Sequence, residues 1–163
     1  MSVTMNPYLK DFWKTKSRNK ILYGGRTSSK SWDTAAHAVR LSSNLTLKFL
    51  CIRQFQSSIK ESVYSLILSQ IERFGLLSEY KITDTSITHN ITGSTFLFFG
   101  IARNISEIKS TEGVDILWIE EAHNLNKEQW EIINPTIRKE NSEIWIVFNP
   151  NNRTDFVFQR FIE

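Results

Sequence analysis

The chain carries one cysteine, three prolines, three histidines and no long apolar run in 163 residues, and each scarcity closes a class of structure or chemistry. A single Cys51 makes no intrachain disulfide and suits a reducing compartment. It sits in the run KFLCIR, where an inert buried thiol is expected rather than a nucleophile. No stretch approaches the ~20 consecutive apolar residues of a membrane span. The N-terminal MSVTMNPYLKDFWK places charges and aromatics where a secretory signal needs an apolar core, so a soluble intracellular protein is expected. There is no polybasic block of the kind that marks a nucleic-acid arm, no internal repeat and no low-complexity linker. His123 has no second histidine nearby to build a metal site, and His37 and His89 read as incidental.

What is present fits one globular α/β domain spanning 1–163. Apolar residues make up 40% and aromatics 12%, enough for a sizeable core. The excess of 20 basic over 17 acidic residues, a net +3, permits contact with nucleic acid without demanding it. Tyr8, Leu9, Phe12 and Trp13 behind Pro7 predict a short amphipathic helix. KILYGG predicts a strand broken by paired glycines, and SKSWDTAAHAVRLSS a helix. LTLKFLCI is a second strand, followed by the long amphipathic SSIKESVYSLILSQIERFG, which stops at Gly75. YKITDTSITHNITGSTFLFFG predicts a small antiparallel meander. ISEIKSTEG reads as a short helix or loop, VDILWIEE as a buried strand, NKEQWEIINPTIR as a helix and SEIWIVFNP as a last apolar strand. Continuous apolar strands alternating with helices mean a mainly parallel sheet covered on both faces. Trp118 and Trp145 are expected in the core. The aromatic-rich end, FNPNNRTDFVFQRFIE, suggests a piece of something longer.

Residues 24–31, GGRTSSKS, nearly match the phosphate-binding pattern G-x-x-x-x-G-K-[ST], with Ser29 in place of the second glycine. The segment lies between a strand and a helix, the context such a loop requires. Its backbone N–H groups and the helix N-terminus would cradle phosphates, with Lys30 on the β- and γ-phosphates and the Ser31 hydroxyl on Mg²⁺. Serine at 29 crowds little if its φ is negative. The competing reading is a Ser-rich helix cap supplied by Ser28 or Ser29.

Glu120 and Glu121 emerge at the carboxyl end of a predicted buried strand, the side on which open parallel sheets bind ligands. On an extended chain adjacent side chains diverge. That suggests separate roles, Glu120 in the Mg²⁺ shell, directly or through water, and Glu121 orienting and deprotonating water; the competing reading is a surface acid pair opening the next helix, whose N-terminus favours negative charge. Arg26 lies close enough to reach the γ-phosphate, or else points to solvent or salt-bridges a neighbour. Asn149, ending the IWIVF strand, would sense the γ-phosphate or hold the attacking water, or simply open the Asn-Pro turn.

Together, YGGRTSSKSW, IRQFQSSIKESVYSLI, EIKSTEGVDILWIEEAH and IVFNPNN resemble the N-terminal ATPase domain of phage terminase large subunits. The resemblance covers most of the chain. It implies a P-loop NTPase fold of the RecA/ASCE type, with ATP and Mg²⁺ as ligands and Gly24, Gly25, Arg26, Thr27, Ser28, Ser29, Lys30, Ser31 and Asn149 around the nucleotide. It further implies Ser31 and Glu120 at the metal, Glu121 and Lys30 in catalysis, and Arg26 as an arginine finger acting in cis. Double-stranded DNA, a small terminase subunit and the procapsid portal are the implied partners, with a monomer in isolation that forms a ring on the portal. The implied location is the host cell cytoplasm. Terminases also carry a nuclease domain, which this chain stops short of, so no nuclease activity is expected. Arg53, Lys60, Arg103 and Lys109 are candidate DNA or inter-subunit contacts, each of which also reads as a solvated surface charge. A helicase-like P-loop ATPase, a kinase-like enzyme and a non-hydrolysing scaffold are the alternatives.

Overall fold

The structure is a computed structural model and describes residues 5–25 and 29–163. Its centre is a seven-stranded sheet. The strands are β1 (Asn19–Tyr23), β2 (Lys48–Arg53), β3 (Tyr80–Ile82), β4 (Ser86–His89), β5 (Thr95–Gly100), β6 (Ile116–Ile119) and β7 (Glu143–Phe148), in spatial order β1-β7-β6-β2-β5-β4-β3. The first five in that order pair in parallel, while β4 and β3 add an antiparallel edge. The expected meander is therefore present, and its last strand joins the parallel sheet beside β2.

Strand alternation divides the core. Phe49 and Cys51 of β2, with Trp118 and Trp145, face one side, under helix α2 (Lys30–Asn44) and the segment formed by α3 (Gln56–Ile59) and α4 (Ser65–Arg73). Leu50, Ile52, Leu117, Ile119, Ile144 and Ile146 face the other, under α5 (Ile101–Ser110), α6 (Lys127–Thr136) and the terminal α7 (Phe156–Phe161). This two-sided burial is why the strands read as unbroken apolar runs. Cys51 is fully buried, and burial pushes its thiol well above the usual range, as befits an inert core group.

Local sequence explains the boundaries. Ala35, Ala36 and Ala38 let α2 lie close on the sheet. Gly75, at φ +71, ends α4 in a conformation open mainly to glycine. Asn126 and Gln129 form a reciprocal capping box at the start of α6. The long helix predicted after β2 is interrupted by a π-helical stretch, Lys60–Tyr64. The N-terminal helix is shorter than its pattern suggests: a 3₁₀ turn at Pro7–Leu9, capped by Asn6, leads into α1 (Lys10–Lys14).

His37, on α2, is buried with its ring stacked 4.3 Å from that of Trp13, and its Nδ1 lacks a hydrogen-bond partner. Burial first, then the charges of Lys20 and Arg40, push its pKa down to about 3. In the unfolded chain it titrates near 6.5, so between those values the unfolded state binds more protons than the folded one. Its neutral form is therefore compatible with full stability above pH 6.5, and stability falls as pH drops toward 3, each unit of displacement being worth about 1.4 kcal/mol. Thermal unfolding of His37→Phe, followed from pH 7 to pH 4, is expected to show a shallower acid loss than the parent. Equal slopes would refute this assignment.

Candidate active site

The carboxyl ends of β1, β6 and β7 open onto a cavity of ≈ 620 Å³ lined by Gly24, Gly25, Ser29, Lys30, Ser31, Glu120, Glu121, His123 and Asn149, among others. A larger cavity, ≈ 830 Å³, lies between α1 and α2 against Trp13 and His37. The smaller one is the candidate site, because it lies at the strand ends and gathers the lysine, hydroxyl and acids.

β1 delivers Gly24 and Gly25, and α2 begins at Lys30, so the strand–loop–helix context is present. Arg26, Thr27 and Ser28 lie outside the described residues, and their sequence-based roles with them. Ser29 occupies the position before the helix with φ −81, the negative value that keeps its Cβ unstrained. The helix-cap reading fails at this residue. The Ser29 hydroxyl donates to the Asp33 carboxylate and accepts no bond from a backbone N–H. Asn6 donates to the same carboxylate oxygen.

Lys30 is buried, and its Nζ donates to the Gly25 carbonyl at 3.2 Å and to Asn149 Oδ1. Burial lowers its pKa, and the nearby Glu120 charge partly restores it. The Ser31 hydroxyl donates to Glu120 Oε1 at 2.6 Å, and the Trp118 indole N–H donates to Oε2 at 2.9 Å. Glu120 is only 7% exposed, so it is not a surface acid at a helix start. Burial pushes its pKa up, against the Ser31 and Trp118 hydrogen bonds that pull it down. A hydroxyl and a carboxylate side by side are the oxygen ligands Mg²⁺ accepts, with water and phosphate completing its shell. Among the described residues no group of three or more His, Cys, Asp or Glu is gathered for a metal.

The two acids do diverge, for a reason other than the one expected. β6 ends at Ile119, and Glu121 adopts a left-handed backbone, φ 50 and ψ 48. An extended chain is therefore not what separates them. Such a conformation is uncommon for a residue with a Cβ and tends to persist at functional sites. The Glu121 carboxylate meets Arg53 Nη2 at 2.6 Å and is 40% exposed. Arg53, a possible DNA contact by sequence, is thus a neighbour of the candidate catalytic acid. Lys60 pairs with Asp84 on the surface.

Sequence reasoning missed three participants. Trp118 reads as a core residue alone, yet it sits two residues before Glu120 on the same side of the chain, which is the pattern that could have linked them. Asp33 carries no recognisable motif. The Arg53–Glu121 pair joins residues 68 positions apart, and local patterns do not report such contacts.

A sequence profile described as "Phage terminase large subunit" matches residues 16–163. The chain belongs to this family. Among relatives, the PBSX phage terminase large subunit of Bacillus subtilis (strain 168) is 24% identical over 163 residues, covering 96% of this chain. The chain spans only 37% of that relative's length. Among solved structures, the large terminase of a thermophilic bacteriophage superposes with a TM-score of 0.77 at 11% identity, over 96% of this chain and 40% of that one. The same thermophilic phage protein has also been solved in complex with ADP, with a TM-score of 0.75 at 11% identity over the same shares of the two chains. The Phi-28 gp11 DNA packaging motor matches with a TM-score of 0.57 at 15% identity, over 86% of this chain and 48% of that one. The fold is that of the P-loop ATPases of the ASCE type, and β7 lies between the loop strand β1 and the acid strand β6.

Proposed function

We propose that this chain is the ATP-hydrolysing domain of a terminase large subunit that drives double-stranded DNA into a procapsid. The observation that carries the reading is the convergence of Lys30, Ser31, Glu120, Glu121 and Asn149 on one cavity at the carboxyl edge of the sheet. Family membership and the likeness to a terminase solved with ADP support it.

In this reading Lys30 exchanges Asn149 and the Gly25 carbonyl for the outer phosphates, as a charge-assisted donor. Ser31 and Glu120 would hold Mg²⁺, which would supply positive charge to offset that of the phosphates. Glu121 accepts a proton as water attacks the γ-phosphorus. The bond from that phosphorus to the bridging oxygen breaks, and ADP and phosphate leave. Asn149, beside Lys30, reports whether the γ-phosphate is present, and Arg26 supplies charge to the transferring group in cis. A small terminase subunit and the portal are the proposed protein partners, ring assembly on the portal the proposed active form, and the host cytoplasm the proposed setting.

The test is phosphate release from ATP by this chain with and without Mg²⁺. Slow, Mg²⁺-dependent turnover is expected, and its absence despite tight ATP binding would favour a scaffold.

Arg53 orients Glu121 in this scheme, since a half-exposed carboxylate without a partner samples many rotamers. Arg53→Ala is expected to lower kcat about tenfold while leaving KM within about twofold, the signature of a misplaced rather than missing base. A rise in kcat would show that the pair withholds the carboxylate instead.

A further inference from the structure

We infer that Gln56 is a positioning residue for Glu121, acting through Arg53 and tying the hydrolysis site to the first turn of α5. This inference rests on the proposed hydrolysis for its kinetic consequence, though not for its geometry.

Arg53 is the last residue of β2 and stands in register with Gly100, the last residue of β5. The chain that follows Arg53 is bonded closely to the corner where β5 turns into α5. The Gln54 carbonyl accepts from the Ala102 N–H at 2.9 Å. Gln56 Oε1 accepts from the Gly100 N–H and from Asn104 Nδ2 at 3.1 Å, and Asn104 Nδ2 also donates to the Gly100 carbonyl at 2.9 Å. Asn104 reaches both because its own backbone departs from helical geometry, φ −122 and ψ 25. Contact is so close that a Cβ on Gly100 would stand 2.1 Å from the Gln56 nitrogen. No other residue fits there without moving the chain.

On its other side the same segment fixes Arg53. Nη1 donates to the Ser58 carbonyl at 3.3 Å, while Nη2 holds Glu121. The Gln54 carbonyl and both ends of the Gln56 amide, whose Nε2 donates to the Phe98 carbonyl at 3.5 Å, thus secure residues 54–58 to β5 and α5, and the Ser58 carbonyl in that segment holds the guanidinium that meets the acid. A shift of the α5 corner would move Arg53 relative to β6, whose end is itself bonded to β2 through Glu120 N–H and the Ile52 carbonyl at 2.9 Å. Gln56 is not among the residues lining the cavity. In this inference its effect on turnover passes through Arg53.

The experiment compares the parent chain with Gln56→Met, Arg53→Ala and the double variant, reading kcat and KM for ATP, thermal unfolding, and the ¹⁵N NMR signals of the Arg53 guanidinium. Gln56→Met keeps the approximate shape of the side chain and removes both the acceptor and the weaker Nε2 donation to the Phe98 carbonyl. It is expected to lower kcat about three- to tenfold with KM within about twofold, and to turn the bonded Arg53 signals into those of a freely rotating guanidinium, as Glu121→Ala does. In the Arg53→Ala background Gln56→Met should lower kcat no further, while any loss of thermal stability persists in both backgrounds. Equal kcat losses in the two backgrounds, or Arg53 signals unchanged by Gln56→Met, would overturn the inference. The NMR comparison needs no turnover. If the parent fails to hydrolyse ATP while Gln56→Met still frees Arg53, the hydrolysis reading falls and the positioning stands. Should Gln56→Met fail to fold, Asn104→Ala removes one donor to the same oxygen, and a smaller change in the Arg53 signals is expected. No change would count against the inference.

Discussion

Glu121→Gln is expected to bind ATP as the parent does and to release phosphate at least about a hundredfold more slowly, the usual contribution of a positioned general base being 10²–10⁴-fold. The substitution keeps the size of the side chain and an oxygen that can still accept from Arg53, so the left-handed turn at Glu121 and its partner are preserved. What disappears is the capacity to take a proton from water. Glu120 cannot substitute, because Ser31 and Trp118 engage its oxygens and its carboxyl is buried away from solvent. Single-turnover phosphate release beside equilibrium binding of a fluorescent ATP analogue separates the two effects. Turnover within about threefold of the parent would remove Glu121 from the mechanism and leave water activation to another group.

Lys30→Ala is expected to act at the earlier step and weaken ATP binding by about 10- to 100-fold, the worth of one lost charge-assisted contact of 1.5–3 kcal/mol. Lys30 is placed for this before any ligand arrives. It is buried, beside Glu120, and bonded to neutral oxygens of Gly25 and Asn149, which in the proposed site would give way to phosphate. Isothermal titration with ATP and Mg²⁺ measures the loss. If Lys30→Ala binds like the parent, the GGRTSSKS segment is not a phosphate cradle in this chain. Reduced binding would establish that Ser29 is tolerated in the loop, as its negative φ allows.

Much of the architecture was legible because it rests on local periodicity. The apolar runs containing Phe49–Ile52, Ile116–Ile119 and Ile144–Phe148 announced two-sided burial, and the turn residues around Thr92-Gly93 announced the meander. The π-helical stretch at Lys60–Tyr64 left no trace, since its side chains still follow an amphipathic pattern while the backbone takes one extra residue per turn. The shortened N-terminal helix was also invisible, because Tyr8 fits the apolar spacing yet is almost fully exposed.

Residue type and order along the chain were enough to single out the lysine, the serine and the two acids as candidates and to expect them on one edge of the sheet, because a phosphate cradle and a metal site each need particular atoms at particular spacings. The partners those groups would have could not be read the same way. That Ser31 meets Glu120, Asn149 meets Lys30, and Arg53 meets Glu121 follows from the lateral order β1-β7-β6-β2. Strand order is set by how crossovers pack the whole sheet, and no local stretch of sequence encodes which strand end will stand beside which.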